Sequence, residues 1–235
     1  RKRHNGWVRS ARGSKNARAD VGGKRWERLR GYGRCRAIPI GINIGKSKST
    51  PLAEAVDDYR YSFRRLHSHA DYIVLNVSSP NTPGLRSLQA GDSLGGLLQA
   101  IQNDNAARKP IMVKIAPDVS PAQLVETITT CEEGGAAGLI ATNTTLDHSS
   151  IEVAQVEEGG LSGAPVLEAS NRVIRQLRAA LGKSFPIIGV GGIMSGLDAV
   201  SKIKAGADVV QIYTGLIYQG PELVAEAAIS IKNSL

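Results

Sequence analysis

The chain has 235 residues, enough for one large α/β domain with a sizeable core, and no run of 18 apolar residues that would predict a transmembrane helix. Its two cysteines, Cys35 and Cys131, are too few for a disulfide framework or a cysteine metal site, so we expect no metal and a reducing, cytoplasmic environment. The net charge of +8 suggests nucleic-acid binding, but residues 1–36 carry 13 − 2 = +11 and the remainder 16 − 19 = −3. Because the body is mildly acidic, we expect it not to bind nucleic acid.

The basic segment, residues 1–36, has one leucine and no isoleucine or phenylalanine, and it shows neither a strand nor a helix period. Such a segment buries too little apolar surface to offset its ordering entropy. We therefore predict that it is a disordered leader or an aberrant segment that precedes one domain at 37–235. An arm that binds RNA or a membrane surface is the alternative.

From residue 37 onward, short apolar runs alternate with amphipathic segments. The predicted strands lie at 38–43, 72–77, 109–116, 137–143, 186–192 and 208–214. The predicted helices lie at 51–69, 94–107, 121–134, 171–181, 196–205 and 222–232, with Thr50 and Ser120 as N-caps of the first and third. Strands that are apolar on both faces and alternate with helices indicate a parallel sheet covered by helices.

The choice between a (β/α)₈ TIM barrel and a doubly wound sheet depends on the polar residues. Each predicted strand ends in a polar residue or a glycine pair, namely Asn43, Asn76, Lys114, Asn143, Gly191-Gly192 and Thr214. In a barrel these ends meet at one mouth, whereas in an open sheet they are spread along an edge. The sequence therefore predicts an α/β TIM barrel that is incomplete, with six of its eight strands present.

The stretch NVSSPNTPGLR, residues 76–86, follows the second predicted strand. Its two prolines restrict the backbone, and Pro80 disfavours a helical conformation at Ser79. We expect Asn76, Ser79 and Asn81 to stand at the strand end in a preset geometry. An ordinary turn that joins a strand to a helix is the alternative.

Two glycine-rich stretches, GGLSG at 159–163 and GVGG at 189–192, are typical of loops whose backbone N–H groups hold a phosphate. Tight barrel turns would explain either one alone. Lys114 ends a buried strand, where a charge needs an anionic partner. A phosphate-anchored flavin would provide that partner, and a lysine that reaches the surface is the alternative.

Four amides could pair with the edge of a planar imide ring that carries a carboxylate: Asn43, Asn76, Asn81 and Asn143. No glutamate or histidine stands in these loops as a strong base, and we interpret His148 as a loop residue. Ser79 is the candidate proton acceptor, although an unassisted serine is a poor base and would need a relay.

In order and spacing, the motifs GINIGKSK, NVSSPNTPGLR, VKIAPD, IATNTT, GGLSG, PIIGVGGI and VQIYTGLIYQGP resemble the class 2 dihydroorotate dehydrogenases. The resemblance covers about residues 37–235. It implies an FMN-dependent barrel enzyme of pyrimidine biosynthesis, in which Ser79 removes a proton from C5 of dihydroorotate and a hydride passes from C6 to the flavin. The substrate, and the product orotate, would be held by Asn76, Asn81, Asn143 and Thr144. The resemblance implies FMN contacts from Asn43, Asn76, Lys114, Thr142, Gly163, Gly192, Tyr213 and Thr214.

A serine at position 79, where class 1 enzymes have cysteine, implies that quinone is the electron acceptor. The family lies peripherally on the inner membrane through an N-terminal segment that has no counterpart here, and its first two barrel strands are also unmatched. We therefore expect a chain without its own membrane contact. Three alternatives stay open: an inactive truncated or frameshifted remnant, a class 1 or dihydropyrimidine dehydrogenase type of flavin barrel, and a nucleic-acid-binding protein.

Overall fold

The computed structural model describes the backbone of Ala11–Arg12 and residues 38–152 and 156–235. Its sheet contains seven parallel strands in sequence order. They are β1 (Ala11–Arg12), β2 (Gly41–Gly45), β3 (Tyr72–Asn76), β4 (Ile111–Ile115), β5 (Gly138–Ala141), β6 (Ile187–Val190) and β7 (Val209–Gln211). Helices in the described residues are α1 (Ala55–Leu66), α2 (Gly91–Asp104), α3 (Pro121–Glu133), α4 (Leu167–Leu181), α5 (Gly196–Ala205), α6 (Thr214–Gln219) and α7 (Glu222–Ser234).

Alternate residues of strands β3–β6 pack into two separate apolar layers. Residues such as Ile73 and Leu139 belong to the main core, which lies between the sheet and the helices. A smaller cluster on the other side consists of strand residues alone, Val74, Met112, Ile140 and Val190. We call that side the interior face. Burial on both faces explains why the strands are apolar throughout.

The register places the polar strand ends on the interior face. Asn76 pairs with Lys114, and Lys114 pairs with Ile140, which belongs to the interior cluster. Because paired residues of parallel strands project to the same side, Asn76 and Lys114 share the interior face. Among the described residues, the six predicted strands, β2–β7, form a half-barrel, so the predicted α/β fold with six parallel strands of a TIM barrel is confirmed.

The two ends of the half-barrel differ. At one end the two-residue β1 pairs with Ile44 and Gly45 of β2, although its segment was predicted to be disordered. The other residues of 1–37 lie outside those that the structure describes. At the opposite end, β7 pairs with β6 and Val209 is 54% exposed. Among the described residues, no helix is both long and apolar enough to cross a membrane.

Several helix boundaries differ from the predictions. The prediction that Thr50 is the N-cap of the first helix is wrong. Pro51 is the N-cap of the 3₁₀ turn that comes first, and Thr50 Oγ1 lies 2.6 Å from Ser47 Oγ instead. The Ser120 cap is confirmed, since its side chain accepts from Gln123 N in a capping box. α2 and α4 begin before the predicted residues, at Gly91 and Leu167.

Thr214 was predicted to end the last strand, but that strand stops at Gln211 and Thr214 is the first residue of α6. The three misassigned residues, 212–214, are too few for their polarity pattern to distinguish the end of a strand from the start of a helix.

Candidate functional site

Three strand ends meet at Ser78, which the sequence analysis did not single out. Asn76 Oδ1 accepts a hydrogen bond from Asn143 Nδ2 at 3.0 Å, so the predicted substrate amides after β3 and β5 touch. Ser78 Oγ lies 3.0 Å from the same Asn143 nitrogen and donates to the Lys114 backbone oxygen at 2.7 Å. Ser78 is fully buried, so this hydroxyl fixes the spacing of β3, β4 and β5 at the mouth.

Ser79 occupies the same loop but faces a more open environment. It is half-buried, and its Oγ accepts from the Asn81 backbone N–H at 3.3 Å. No carboxylate or imidazole in the described part of the chain contacts this oxygen, which agrees with the absence of a strong base in the nearby sequence. Asn81 is exposed at the rim, and its Oδ1 accepts from Gly160 N at 3.2 Å.

The first glycines of the GGLSG stretch permit close approach between loops. A Cβ on Gly160 would lie 2.0 Å from Thr144 Oγ1 and 2.6 Å from Pro80 Cγ. This crowding explains Gly160 without a phosphate, because only glycine lets the loop pack against the residues that flank Ser79.

Lys114 projects from the end of β4 on the interior face. Burial lowers its pKa from 10.5 to about 8, with no charged partner or hydrogen bond acting on it in the described residues. A buried ammonium without an acceptor is costly, so this position favours an anionic or strongly polar ligand.

Three buried side-chain oxygens have no hydrogen-bond partner within the described residues: Asn43 Oδ1, Thr144 Oγ1 and Gln211 Oε1. Asn43 pairs with Val74 and Gln211 with Val190, so both face the interior side. Buried polar atoms in proteins are normally satisfied. The lack of hydrogen-bond partners for these oxygens therefore favours a polar ligand bound inside the half-barrel. Gln211 was missed because its strand end had been placed at Thr214.

The remaining glycines and Thr214 form a second cluster. Gly163 and Gly192 have φ values of +81° and +79°. A Cβ on Gly192 would lie 2.5 Å from the backbone of Leu167, at the start of α4, and one on Gly163 would lie 3.4 Å from Thr214 Cγ2. Thr214 Oγ1 also lies 3.1 Å from Ser162 Oγ. The structure thus brings together both glycine stretches and Thr214, with left-handed backbone typical of an anion-binding loop.

Tyr213 and Thr142 flank this cluster in different ways. Tyr213 precedes α6 and its side chain is 68% exposed. Thr142 is buried, its N–H donates to Val190 O at 2.7 Å, and its Oγ1 donates to Asn143 O at 3.1 Å. Thr142 therefore ties the ends of β5 and β6 together. His148 is half-buried in the loop after β5, as interpreted from sequence.

Two further residues escaped the sequence analysis. Arg86, the last residue of the NVSSPNTPGLR motif, forms an ion pair with Asp118 at 2.7 Å. Asp118 is the last residue of VKIAPD, another motif on which the resemblance rests, but nothing in the sequence links Arg86 with Asp118. Within the described residues, no group of three or more His, Cys, Asp or Glu could hold a metal ion.

Comparison with known proteins gives concordant matches. The profile of the family described as Dihydroorotate dehydrogenase matches residues 11–235, so the match begins before the motifs on which the resemblance rests. A relative from Polaromonas naphthalenivorans (strain CJ2), named Dihydroorotate dehydrogenase (quinone), is 59% identical over 207 residues, which cover 84% of this chain and 59% of the relative. A relative of the same name from Verminephrobacter eiseniae (strain EF01-2) is 56% identical, over 87% of this chain and 59% of its own length.

The crystal structure of DHODH from Eimeria tenella in complex with ferulenol superposes with a TM-score of 0.82 at 34% identity. It covers 92% of this chain and 64% of that one. The chain spans about three fifths of the length of the curated relatives that it matches.

Proposed function

This chain belongs to the dihydroorotate dehydrogenase family, and we propose that it carries the substrate site and much of the flavin site of an enzyme that oxidises dihydroorotate to orotate in pyrimidine biosynthesis. The observation that carries the proposal is the meeting of Asn76, Asn143 and Lys114 at the interior mouth of β3–β5. These groups offer amide hydrogen bonds and one cation to a flat, anionic, imide-containing molecule.

FMN is the proposed cofactor, and the residues present fit it. Asn43 and Gln211 point unpaired oxygens at the interior face, and Lys114 lacks an anion there. The left-handed glycines Gly163 and Gly192 would present backbone N–H groups to the phosphate. When bound, FMN would supply the two-electron acceptor for the oxidation. We also assign contacts with it to Asn76, Thr142, Tyr213 and Thr214.

Ser79 is the proposed proton acceptor for C5 of the substrate. Its hydroxyl accepts from Asn81 N and donates to no described residue, so its own proton could pass to a water or hydroxyl relay as the oxygen takes the C5 proton. Asn76, Asn81, Asn143 and Thr144 would hold the substrate, and the unpaired Thr144 Oγ1 supports a ligand near it. Because serine is a weak base, the substrate C–H must be acidified by the amides that bind its carbonyl groups.

Quinone is the proposed second substrate. Two features support it: the serine at position 79, and the names of relatives that are more than 50% identical. We propose a cytoplasmic protein, in a family that lies peripherally on the inner membrane, as the resemblance implies.

The test uses the purified chain with added FMN. We expect it to quench FMN fluorescence on binding and to lose its yellow colour when dihydroorotate is added without oxygen. A quinone should then restore the colour, and failure of quinone to do so would favour a class 1 enzyme. A chain that does not bind FMN would refute the proposal for this protein.

A further inference from the structure

Arg86 contacts three of the loops that form the site. It lies in the 3₁₀ turn that follows the Ser79 loop. Its guanidinium donates to Ser78 O at 3.2 Å, to Asp118 Oδ2 at 2.7 Å and to Thr144 O at 2.9 Å. These three acceptors follow β3, β4 and β5, so one side chain links consecutive loops at the mouth.

Asp118 extends the link. Besides the contact with Arg86, its Oδ2 accepts from Leu146 N at 2.9 Å, and its Oδ1 accepts from the Thr145 hydroxyl. The Arg86 and Asp118 side chains are 21% and 27% exposed, so water screens their attraction only in part. This differs from an open surface ion pair, which contributes little.

Further hydrogen bonds connect Thr145, next to Thr144, with the other end of the Ser79 loop. Thr145 pairs with Leu161 in an antiparallel bridge, with N–H···O distances of 3.0 and 2.8 Å. The neighbouring Gly160 N donates to Asn81 Oδ1, and Asn81 N donates to Ser79 Oγ. The loop that bears Ser79 is therefore held at both of its ends.

We propose that Arg86 and Asp118 form a loop clamp, a pair of positioning residues that holds Ser79 and Asn81 in register with Asn143 and Thr144. The part of the proposal that concerns the reaction rests on the proposed role of Ser79. Prolines stiffen the loop internally but do not fix it relative to its neighbours, and the clamp supplies that fixation. A displacement of the reacting groups by about 1 Å can slow a reaction about 100-fold.

The contacts require an arginine. Its planar guanidinium donates in three directions at once, to two carbonyl oxygens and a carboxylate. A lysine keeps the charge but offers a point-like ammonium on a flexible stem. Arg86→Lys should therefore preserve the attraction to Asp118 and lose the links to Ser78 and Thr144.

The test compares the unmodified chain with Arg86→Lys, Arg86→Ala and Asp118→Asn. Arg175→Gln is the matched control, because it breaks an ion pair with Glu168 whose side chains are 52% and 73% exposed, and both residues lie on α4, outside the three loops that Arg86 joins. Hydrogen exchange reports on the loops whether or not the chain is active. The clamp variants should exchange at least about tenfold faster in peptides that cover 77–86 and 144–146, while α3 and the control stay unchanged.

The second measurement follows flavin reduction by dihydroorotate without oxygen. In the clamp variants we expect the rate to fall about 100-fold while FMN affinity stays unchanged. Millimolar guanidinium should restore part of the rate in Arg86→Ala but not in Ser79→Ala, because only the former leaves a space of its shape. A residue that served only stability would show no such rescue.

Unchanged exchange in both loops would overturn the clamp. Faster exchange with an unchanged rate, or a parallel loss of rate and FMN affinity, would overturn the positioning role. If the unmodified chain does not reduce FMN with dihydroorotate, the proposed function fails, and hydrogen exchange alone then decides whether the pair holds the loops.

Discussion

Replacing Lys114 with methionine should change the stability of the flavin-free protein and its affinity for FMN in opposite directions. The change keeps an unbranched chain of similar length but removes the ammonium. Without FMN that ammonium is buried, its pKa is lowered from 10.5 to about 8, and no described group offsets the burial. The amine therefore destabilises the FMN-free protein while it would support the bound cofactor.

The size of the first effect follows from the pKa shift. One pKa unit corresponds to about 1.36 kcal/mol, so the fall from 10.5 to about 8 costs the folded state up to about 3 kcal/mol whenever the amine is charged. Between pH 8 and 10.5 the unfolded chain holds this proton and the folded chain does not. The free energy of unfolding should thus rise with pH in that window, and the penalty is complete below pH 8.

Urea unfolding of the FMN-free protein at pH 7 and pH 10 measures this effect. Lys114→Met should be more stable than the parent at pH 7, and the difference should shrink at pH 10. FMN titration should show about 10- to 100-fold weaker binding, from the loss of one hydrogen bond to a charged group worth about 1.5–3 kcal/mol.

Lys202→Met is the matched control. Lys202 is fully buried, and burial lowers its pKa to about 8, as it does for Lys114. Its ammonium, however, donates to Ser170 Oγ at 2.9 Å and to Asn171 Oδ1 at 3.1 Å. Its removal leaves Asn171 Oδ1 without its donor, while Ser170 Oγ keeps its hydrogen bonds to Ala141 O and Val190 O. Lys202→Met should therefore stabilise less than Lys114→Met, and it should not alter FMN binding directly. If Lys114→Met destabilises the FMN-free protein as much as Lys202→Met, or binds FMN as tightly as the parent, the reasoning about Lys114 is refuted.

Three further predictions concern single positions. Ser79→Ala should keep FMN affinity and slow flavin reduction by about 10²–10⁴-fold, less so at high pH where hydroxide replaces the base; stopped-flow reduction at the parent rate would exclude Ser79 as the base. Gly192→Ala should lower both the melting temperature and the affinity for FMN, because the added Cβ would lie 2.5 Å from the Leu167 backbone at a φ of +79°. In Gly96→Ala the added Cβ would have nothing within 4 Å, so this variant should stabilise α2 by about 0.5–1 kcal/mol. The Cys131 thiol is fully buried and its pKa is raised by burial to about 12, so mass spectrometry should find it unmodified after native treatment with iodoacetamide at pH 8 and modified in urea.

The parts of the fold that were predictable depend on local patterns. Strands such as β3 and β4 are apolar on both faces and carry a polar residue at or next to their last position, and this pattern indicates a buried parallel strand. The Ser120 cap was recognisable because a serine followed three residues later by glutamine satisfies helix N–H groups locally. Once β3 and β4 pair in parallel, Asn76 lies beside Lys114, so both project from the interior face of the sheet.

The contacts between loops were not predictable in this way. Arg86 and Asp118 are separated by 32 positions, and only the neighbouring placement of β3 and β4 brings them together. The end of the last strand was placed at Thr214 instead of Gln211, because strand and helix preferences over three residues are nearly equal. Such features depend on tertiary packing, which overrides weak local preferences.

Ser78 and Ser79 illustrate what the structure adds, because the sequence presents them as equivalent neighbours. Alternation along the extended backbone sends Ser78 inward, where it is 0% exposed and its hydroxyl donates to Lys114 O. A hydroxyl already committed to a buried carbonyl cannot release its proton without leaving that oxygen unpaired. Ser79 is half-buried and donates to no described group, so it alone of the two can exchange a proton with a ligand. Ser78 thus sets the spacing of three strands, whereas the Ser79 hydroxyl keeps an uncommitted proton, which supports its proposed role in proton transfer.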